Sequence, residues 1–166
     1  MARDPAPGFG TSRSGKPHVG KLELAHFVPF RLNRLAEAVS QDLSEIYRVR
    51  FNLGIPEWRV LVTVAQRDAC TAQHIVSSTR MHKTRVSRAV AALEQRTLIA
   101  REPNAADARE LPLKLTKAGR QLYEALVPLA LERERELLCC LDAERARAFR
   151  GALAALEASL GLHGDE

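Results

Sequence analysis

The 166 residues give room for about one domain with its own core, at roughly 150 residues per domain. Apolar residues at 46% and charged residues at 27% exclude collagenous, low-complexity and wholly disordered classes. Lys and Arg outnumber Asp and Glu by 25 to 20, a net charge of +5 that admits an acidic partner without selecting one.

The opening stretch, residues 1–21, is rich in Gly, Pro and Ser and carries Arg3, Arg13, Lys16 and Lys21 against Asp4, the pattern of a disordered basic tail. From Pro29 to Arg50, Leu32, Leu35, Val39, Leu43 and Ile46 recur at three- and four-residue steps, which predicts a long amphipathic helix ended by Gly54. Pro56 suits the first turn of a second helix running to about Arg67, with Val60, Leu61 and Val64 on its buried side. Thr71 opens a short third helix to Ser77, residues 77–80 read as a turn, and a fourth helix follows over Lys83–Gln95. The period then changes. Leu98–Arg101 and the alternating Leu111, Leu113 and Leu115 predict two strands of a hairpin, with Pro112 confined to an edge or an outward position. Thr116 caps a long helix towards Leu141, which Pro128 is expected to kink, and Phe149, Leu153, Leu156 and Leu160 mark a last amphipathic helix.

Charge is regional. Residues 71–120 carry ten cations and four acids, whereas residues 132–166 carry five cations and eight acids. The basic segment coincides with the second helix and hairpin of a helix, helix, turn, helix, hairpin order, which is the winged helix-turn-helix arrangement. On the fourth helix Val86, Val90 and Leu93 share one side, while Thr84, Arg88 and Ala91 lie opposite, flanked by Arg85, Ser87 and Ala92. Arg bonds guanine edges or phosphates, Ser and Thr bond either, and alanines allow close backbone approach to a groove floor. A cationic helix face taken alone is usually just solvated. Here Arg85 and Arg88 meet no acid before Glu94 and a basic hairpin follows, so nucleic acid is favoured, with Lys83, Thr84, Arg85, Ser87 and Arg88 as contacts.

EWRVL at 57–61, HKTRVSRAVAALE at 82–94, DAR at 107–109 and LTKAG at 115–119 resemble the MarR family of bacterial transcription regulators. The resemblance extends from about Leu22 onward. It implies a mainly α fold with a small β-hairpin wing, a homodimer held by residues 22–55 and 117–166, and a DNA-binding lobe at 56–116. It further implies double-stranded operator DNA as partner, with Arg109 at the wing tip entering the minor groove and Asp107 orienting that loop. The chain departs from the family pattern at Thr97, where Gly is common, and at Ala108, where a second Arg is common. The loss of one Arg removes about one phosphate contact.

Family members commonly release DNA on binding a small phenolic or carboxylate effector near the dimerisation helices. His26, Phe27, Phe30, Arg31, Arg34 and Trp58 bring aromatic surface and cations to that region, although Phe27, Phe30 and Trp58 are more often core or dimer interface and Arg34 more often solvated or ion-paired. PFRLNRLAEAVS, IPEWRVL and MHKTRVSRAV are similar to the subgroup controlling aromatic acid and hydroxycinnamate catabolism, which implies an aromatic acid or its coenzyme A thioester as effector. Cys70, Cys139 and Cys140 match neither a disulfide framework nor a zinc set; they are candidates for a thiol switch, with buried inert thiols the simpler reading.

Nothing in the chain resembles a catalytic constellation, and neither metal nor cofactor is expected. A ligand-responsive repressor is the leading reading; a redox-sensing regulator and a non-specific architectural DNA-binding protein are the alternatives. No apolar run reaches the roughly 18–20 residues of a membrane span, and the opening stretch lacks a secretory h-region, so a cytoplasmic location is expected.

Overall fold

The computed structural model describes residues 21–67, 70–102 and 111–162. In order, they form α1 (Val28–Phe51), α2 (Ile55–Ala65), α3 (Ala72–Thr79), α4 (Lys83–Gln95), β1 (Ile99–Arg101), β2 (Leu113–Leu115), α5 (Lys117–Leu138) and α6 (Ala143–Ser159). This is a mainly helical fold with a two-stranded antiparallel hairpin, as the sequence predicts. The wing loop with Asp107 and Arg109, and the tail at 1–20, lie outside the described residues.

Backbone contacts divide the chain into two units, Met1–Ala36 and Glu37–Glu166, the boundary falling within α1. In the first unit every residue from Lys21 to Ala36 is exposed except the half-buried Phe30. Leu32 and Leu35, the start of the predicted apolar stripe, are 39% and 51% exposed.

The second unit holds the core. Leu53, Val60, Leu61, Val64, Ile75, Val86, Val90, Leu93, Ile99, Leu113 and Leu126 are buried together, drawing on helices and both strands. Full burial of one such aliphatic side chain stabilises by about 1.5–3 kcal/mol. The buried residues of α1 are Ser44 and Tyr47, rather than the predicted stripe position Ile46. Tyr47 stacks on Trp58 of α2, with ring centroids 5.5 Å apart and planes 18° apart. Its burial raises the phenol's pKa.

Helix ends differ from the sequence reading in an instructive way. Asn52, at φ 51°, ends α1, and Gly54 instead precedes α2 as its N-cap. The third helix runs past Ser77 to Thr79 and is closed by Arg80 at φ 55°. The second helix stops at Ala65, short of Arg67, and the fifth at Leu138, short of Leu141, with Pro128 inside it. Two of the predicted strand residues fall outside the ladder: Leu98 is buried just before β1, and Leu111 is 44% exposed before β2. The half-buried Pro112 contributes no N–H, and its carbonyl accepts from Glu102 N at 3.0 Å.

Two junctions position α4. The Arg96 guanidinium donates to the carbonyls of Asn52 at 2.7 Å and Phe51 at 2.8 Å, placing a cation where the C-terminus of α1 presents unpaired carbonyls. Behind α4, Thr116 caps α5 by accepting from Gly119 N at 3.0 Å and donates to the Thr97 carbonyl at 2.6 Å, while its own N–H donates to Leu98 O at 3.1 Å. Gly119 is required there: a Cβ would lie 1.8 Å from the Leu98 carbonyl oxygen.

On the remote side of the second unit, Arg133 of α5 binds both carboxylate oxygens of Asp42 in α1, with Nε to Oδ2 at 2.7 Å, and also pairs with Glu136 at 2.6 Å. That hydrogen bonding holds the Asp42 carboxyl below its ordinary value and raises the arginine.

Candidate nucleic-acid interface

The helix-turn-helix is built from local caps. Thr71 opens α3 by accepting from His74 N at 3.1 Å, and His82 opens α4 by accepting from Thr84 N at 3.3 Å through Nδ1. Between them Met81 is buried and anchors the turn. These contacts fix where α4 starts, while Val86, Ala89, Val90 and Leu93 fix which way it faces, because all four are buried.

Lys83, Thr84, Arg85, Ser87 and Arg88 are consequently all exposed, as is Ala91. Lys83 and Ser87 are one turn apart, as are Thr84 and Arg88, and Arg85 and Arg88 are neighbours across three residues. Among the described residues, none of Lys83, Arg85 and Arg88 takes part in an ion pair or a side-chain hydrogen bond. Two cations at the hairpin are neutralised: Arg101 Nε is 2.8 Å from Glu94 Oε1, and Lys114 Nζ is 2.6 Å from Glu102 Oε2. The base of the hairpin is thus tied down by ion pairs, while the face of α4 keeps its charge for an outside partner.

The hairpin itself is short, pairing Ile99 with Leu115 and Arg101 with Leu113. Cys70 adds a third backbone segment: its N–H donates to Leu113 O at 3.2 Å and its carbonyl accepts from Leu113 N at 2.7 Å. The Cys70 side chain is buried, whereas Cys139 and Cys140 are exposed just after α5.

The residues proposed for an effector fall in both units. In the first, the Arg34 guanidinium lies 5.7 Å from the Phe30 ring centroid, and His26 is 3.8 Å from Glu23. Phe27 and Arg31 are exposed. In the second, Trp58 is half-buried and gives one ring face to Tyr47. Two residues, one beside Trp58 and one beside α4, had escaped sequence reasoning. Tyr47 lies one position away from the apolar stripe, and Arg80 stood in a stretch read only as a turn. No group of three or more His, Cys, Asp or Glu that could hold a metal occurs among the described residues, and none of their helices is long and apolar enough to cross a membrane.

Residues 51–110 match the MarR family. That span begins at the last residue of α1 and takes in α2, α3, α4 and β1. The fold is shared with solved MarR-family structures over most of the chain. A MarR/EmrR family transcriptional regulator from Acinetobacter sp. ADP1 is 26% identical, with a TM-score of 0.76 over 86% of this chain and 100% of that one. S. aureus MepR, solved as a DNA complex, is 22% identical with a TM-score of 0.69, over 82% of this chain and 98% of its own. CouR from Rhodococcus jostii RHA1, bound to p-coumaroyl-CoA, is 17% identical with a TM-score of 0.69, over 82% and 95%. No curated protein matches the chain. The MarR-like lobe is therefore the part in which sequence and fold agree, and the cationic face of α4 lies within it.

Proposed function

We propose that the chain is a homodimeric, sequence-specific DNA-binding regulator of the MarR family, a repressor released from its operator by a small aromatic acid or its coenzyme A thioester. The observation that carries DNA binding is the row of exposed, unneutralised cations and hydroxyls on α4, supported by the MepR–DNA complex of the same fold. Lys83, Thr84, Arg85, Ser87 and Arg88 enter the major groove, with base edges read by Arg and hydroxyl groups. Arg109 supplies a wing contact, oriented by Asp107.

A second copy is supported by apolar surface that one chain leaves open. In α6 no residue is buried, and Leu156 and Leu160 are 46% and 68% exposed. In the first unit Leu32 and Leu35 are likewise uncovered. Pairing two lobes sets two copies of α4 about one turn of duplex apart, as a pseudo-palindromic site requires.

For the effector, the support is the cation above the Phe30 ring together with the thioester-bound CouR of the same fold. His26, Phe27, Phe30, Arg31 and Arg34 supply aromatic and cationic contacts. Trp58 is the less suited candidate, since one of its ring faces is committed to Tyr47. An effector releases DNA only to the extent that it binds the DNA-incompetent state more tightly.

The test compares affinity for the intergenic duplex upstream of the protein's own gene with that for random duplex at fixed salt. A large preference is expected, and a ratio near one would turn the reading towards an architectural protein. Arg88→Ala is expected to relax base preference and Arg109→Ala to weaken all duplexes alike; equal loss of specificity from both would contradict that division. Calorimetry with p-coumarate and p-coumaroyl-CoA tests the effector, and indifference to both would remove this ligand class. A thiol-responsive form of the same regulator rests on the exposure of Cys139 and Cys140; unchanged operator binding after peroxide treatment would dismiss it.

A further inference from the structure

We infer that Arg80, in the turn between α3 and α4, is a DNA phosphate anchor retained at the expense of local backbone strain. The inference rests on the DNA-binding reading above and extends it to a residue outside the face of α4.

Among the described residues, three non-glycine residues have positive φ: Asn52 at 51°, Arg80 at 55° and Thr97 at 55°. In that region the Cβ of an L-residue crowds its own backbone, which is why glycine and, to a lesser degree, asparagine close helices there. Two of the three are accounted for by bonds on the page. Asn52 is a tolerated type, and its carbonyl is held by Arg96. The Thr97 hydroxyl donates to Arg96 O at 2.7 Å, and its carbonyl accepts from Thr116 at 2.6 Å. Arg80 has no such account. It is exposed, and its guanidinium makes no ion pair or hydrogen bond among the described residues. Folding alone would favour glycine at this C-cap, so the arginine is unexplained by stability.

Its position supplies the explanation. Arg80 lies three residues before Lys83 and leads directly into the N-terminus of α4, whose 13 residues carry the exposed cations. The turn from Ser77 to His82 contains no acid, so no charge within the turn neutralises it. Buried Met81 on one side and the α3 C-terminus on the other fix its backbone. A guanidinium carried on a fixed backbone beside a groove-reading helix is placed to reach the phosphodiester flanking that groove, a contact that positions the protein and carries no base information.

The experiment uses the full chain and a duplex recovered by the wild-type protein from a random-sequence library, with a scrambled duplex of equal length. Anisotropy titrations across a salt series compare wild type with Arg80→Gly and Arg80→Lys. Arg80→Gly is expected to raise the thermal midpoint by about 2 °C through release of strain. It should weaken binding to both duplexes by the same factor and flatten the log–log salt dependence by about 0.9 per protomer. Arg80→Lys, keeping the charge, should preserve the salt slope. An unchanged slope in Arg80→Gly, or a loss confined to the selected duplex, would overturn the inference while leaving the DNA reading intact. Absence of binding by the wild type would instead refute the DNA reading, and this one with it.

Discussion

Replacing Gly119 by alanine pits two effects against each other. Gly119 lies in the first turn of α5, where alanine improves helix propensity by about 1 kcal/mol. Against that gain, the added Cβ would lie 1.8 Å from the Leu98 carbonyl oxygen and 2.8 Å from its carbon. Ordinary contact begins near 3.4 Å, so one backbone must retreat by more than an ångström. The same carbonyl accepts from Thr116 N at 3.1 Å, and the Thr116 hydroxyl both bonds Thr97 O and caps Gly119 N. Retreat therefore lengthens two or three hydrogen bonds, each contributing about 1 kcal/mol net. Overpacking adds about 1–3 kcal/mol. The balance is a loss of about 2–5 kcal/mol, or roughly 6–15 °C in thermal midpoint at about 3 °C per kcal/mol for a chain of this size. Calorimetry at one fixed protein concentration measures it, since any self-association would make the midpoint depend on concentration. An unchanged or raised midpoint would refute the reasoning, because helix propensity would then outweigh the close approach of α5 to the start of β1.

Thr97→Gly reverses the logic. Relief of a β-branched residue at φ 55° outweighs the extra chain entropy of glycine, for a gain of about 0.5–1 kcal/mol in urea denaturation; a loss would show that the Thr97 hydroxyl bond matters more than the strain. Asp42→Asn removes the Arg133 pair. Because hydrogen bonding from Arg133 depresses the Asp42 carboxyl below 3.8, its stabilisation is complete at neutral pH and lost as pH falls through the folded value. The gap in thermal midpoint between wild type and variant should accordingly close below about pH 4, and a gap constant from pH 7 to pH 3 would contradict the assignment.

The bounds of α4, Lys83–Gln95, were legible because a buried triad at helical spacing and a run of exposed cations and hydroxyls point the same way. The Thr116 cap was equally plain. The C-termini of α1 and α3 were not, and the reason is physical: the usual glycine signal is absent. Asn52 and Arg80 adopt positive φ without being glycine, so Gly54, two residues past Asn52, was read as the terminator of α1 and α3 appeared to stop early. Thr97 itself adopts, at φ 55°, the left-handed conformation that glycine favours. The buried face of α1 was misplaced because its stripe mixes residues that face the chain's own core, such as Leu43, with Leu32 and Leu35, which remain uncovered. Periodicity reports that a face is apolar, not what covers it.

The two bonds from Arg96 to the end of α1 make the far end of α4 a pivot. A helix of 13 residues is about 20 Å long at 1.5 Å per residue. Tilting it by 10° about a pinned C-terminus carries its other end through about 3–4 Å, more than the span of a hydrogen bond. The residues swept farthest are Lys83 and Thr84, with Arg85 close behind, whereas Glu94 scarcely moves. Small rotations arriving at this joint are amplified at the end of α4 that carries its exposed cations.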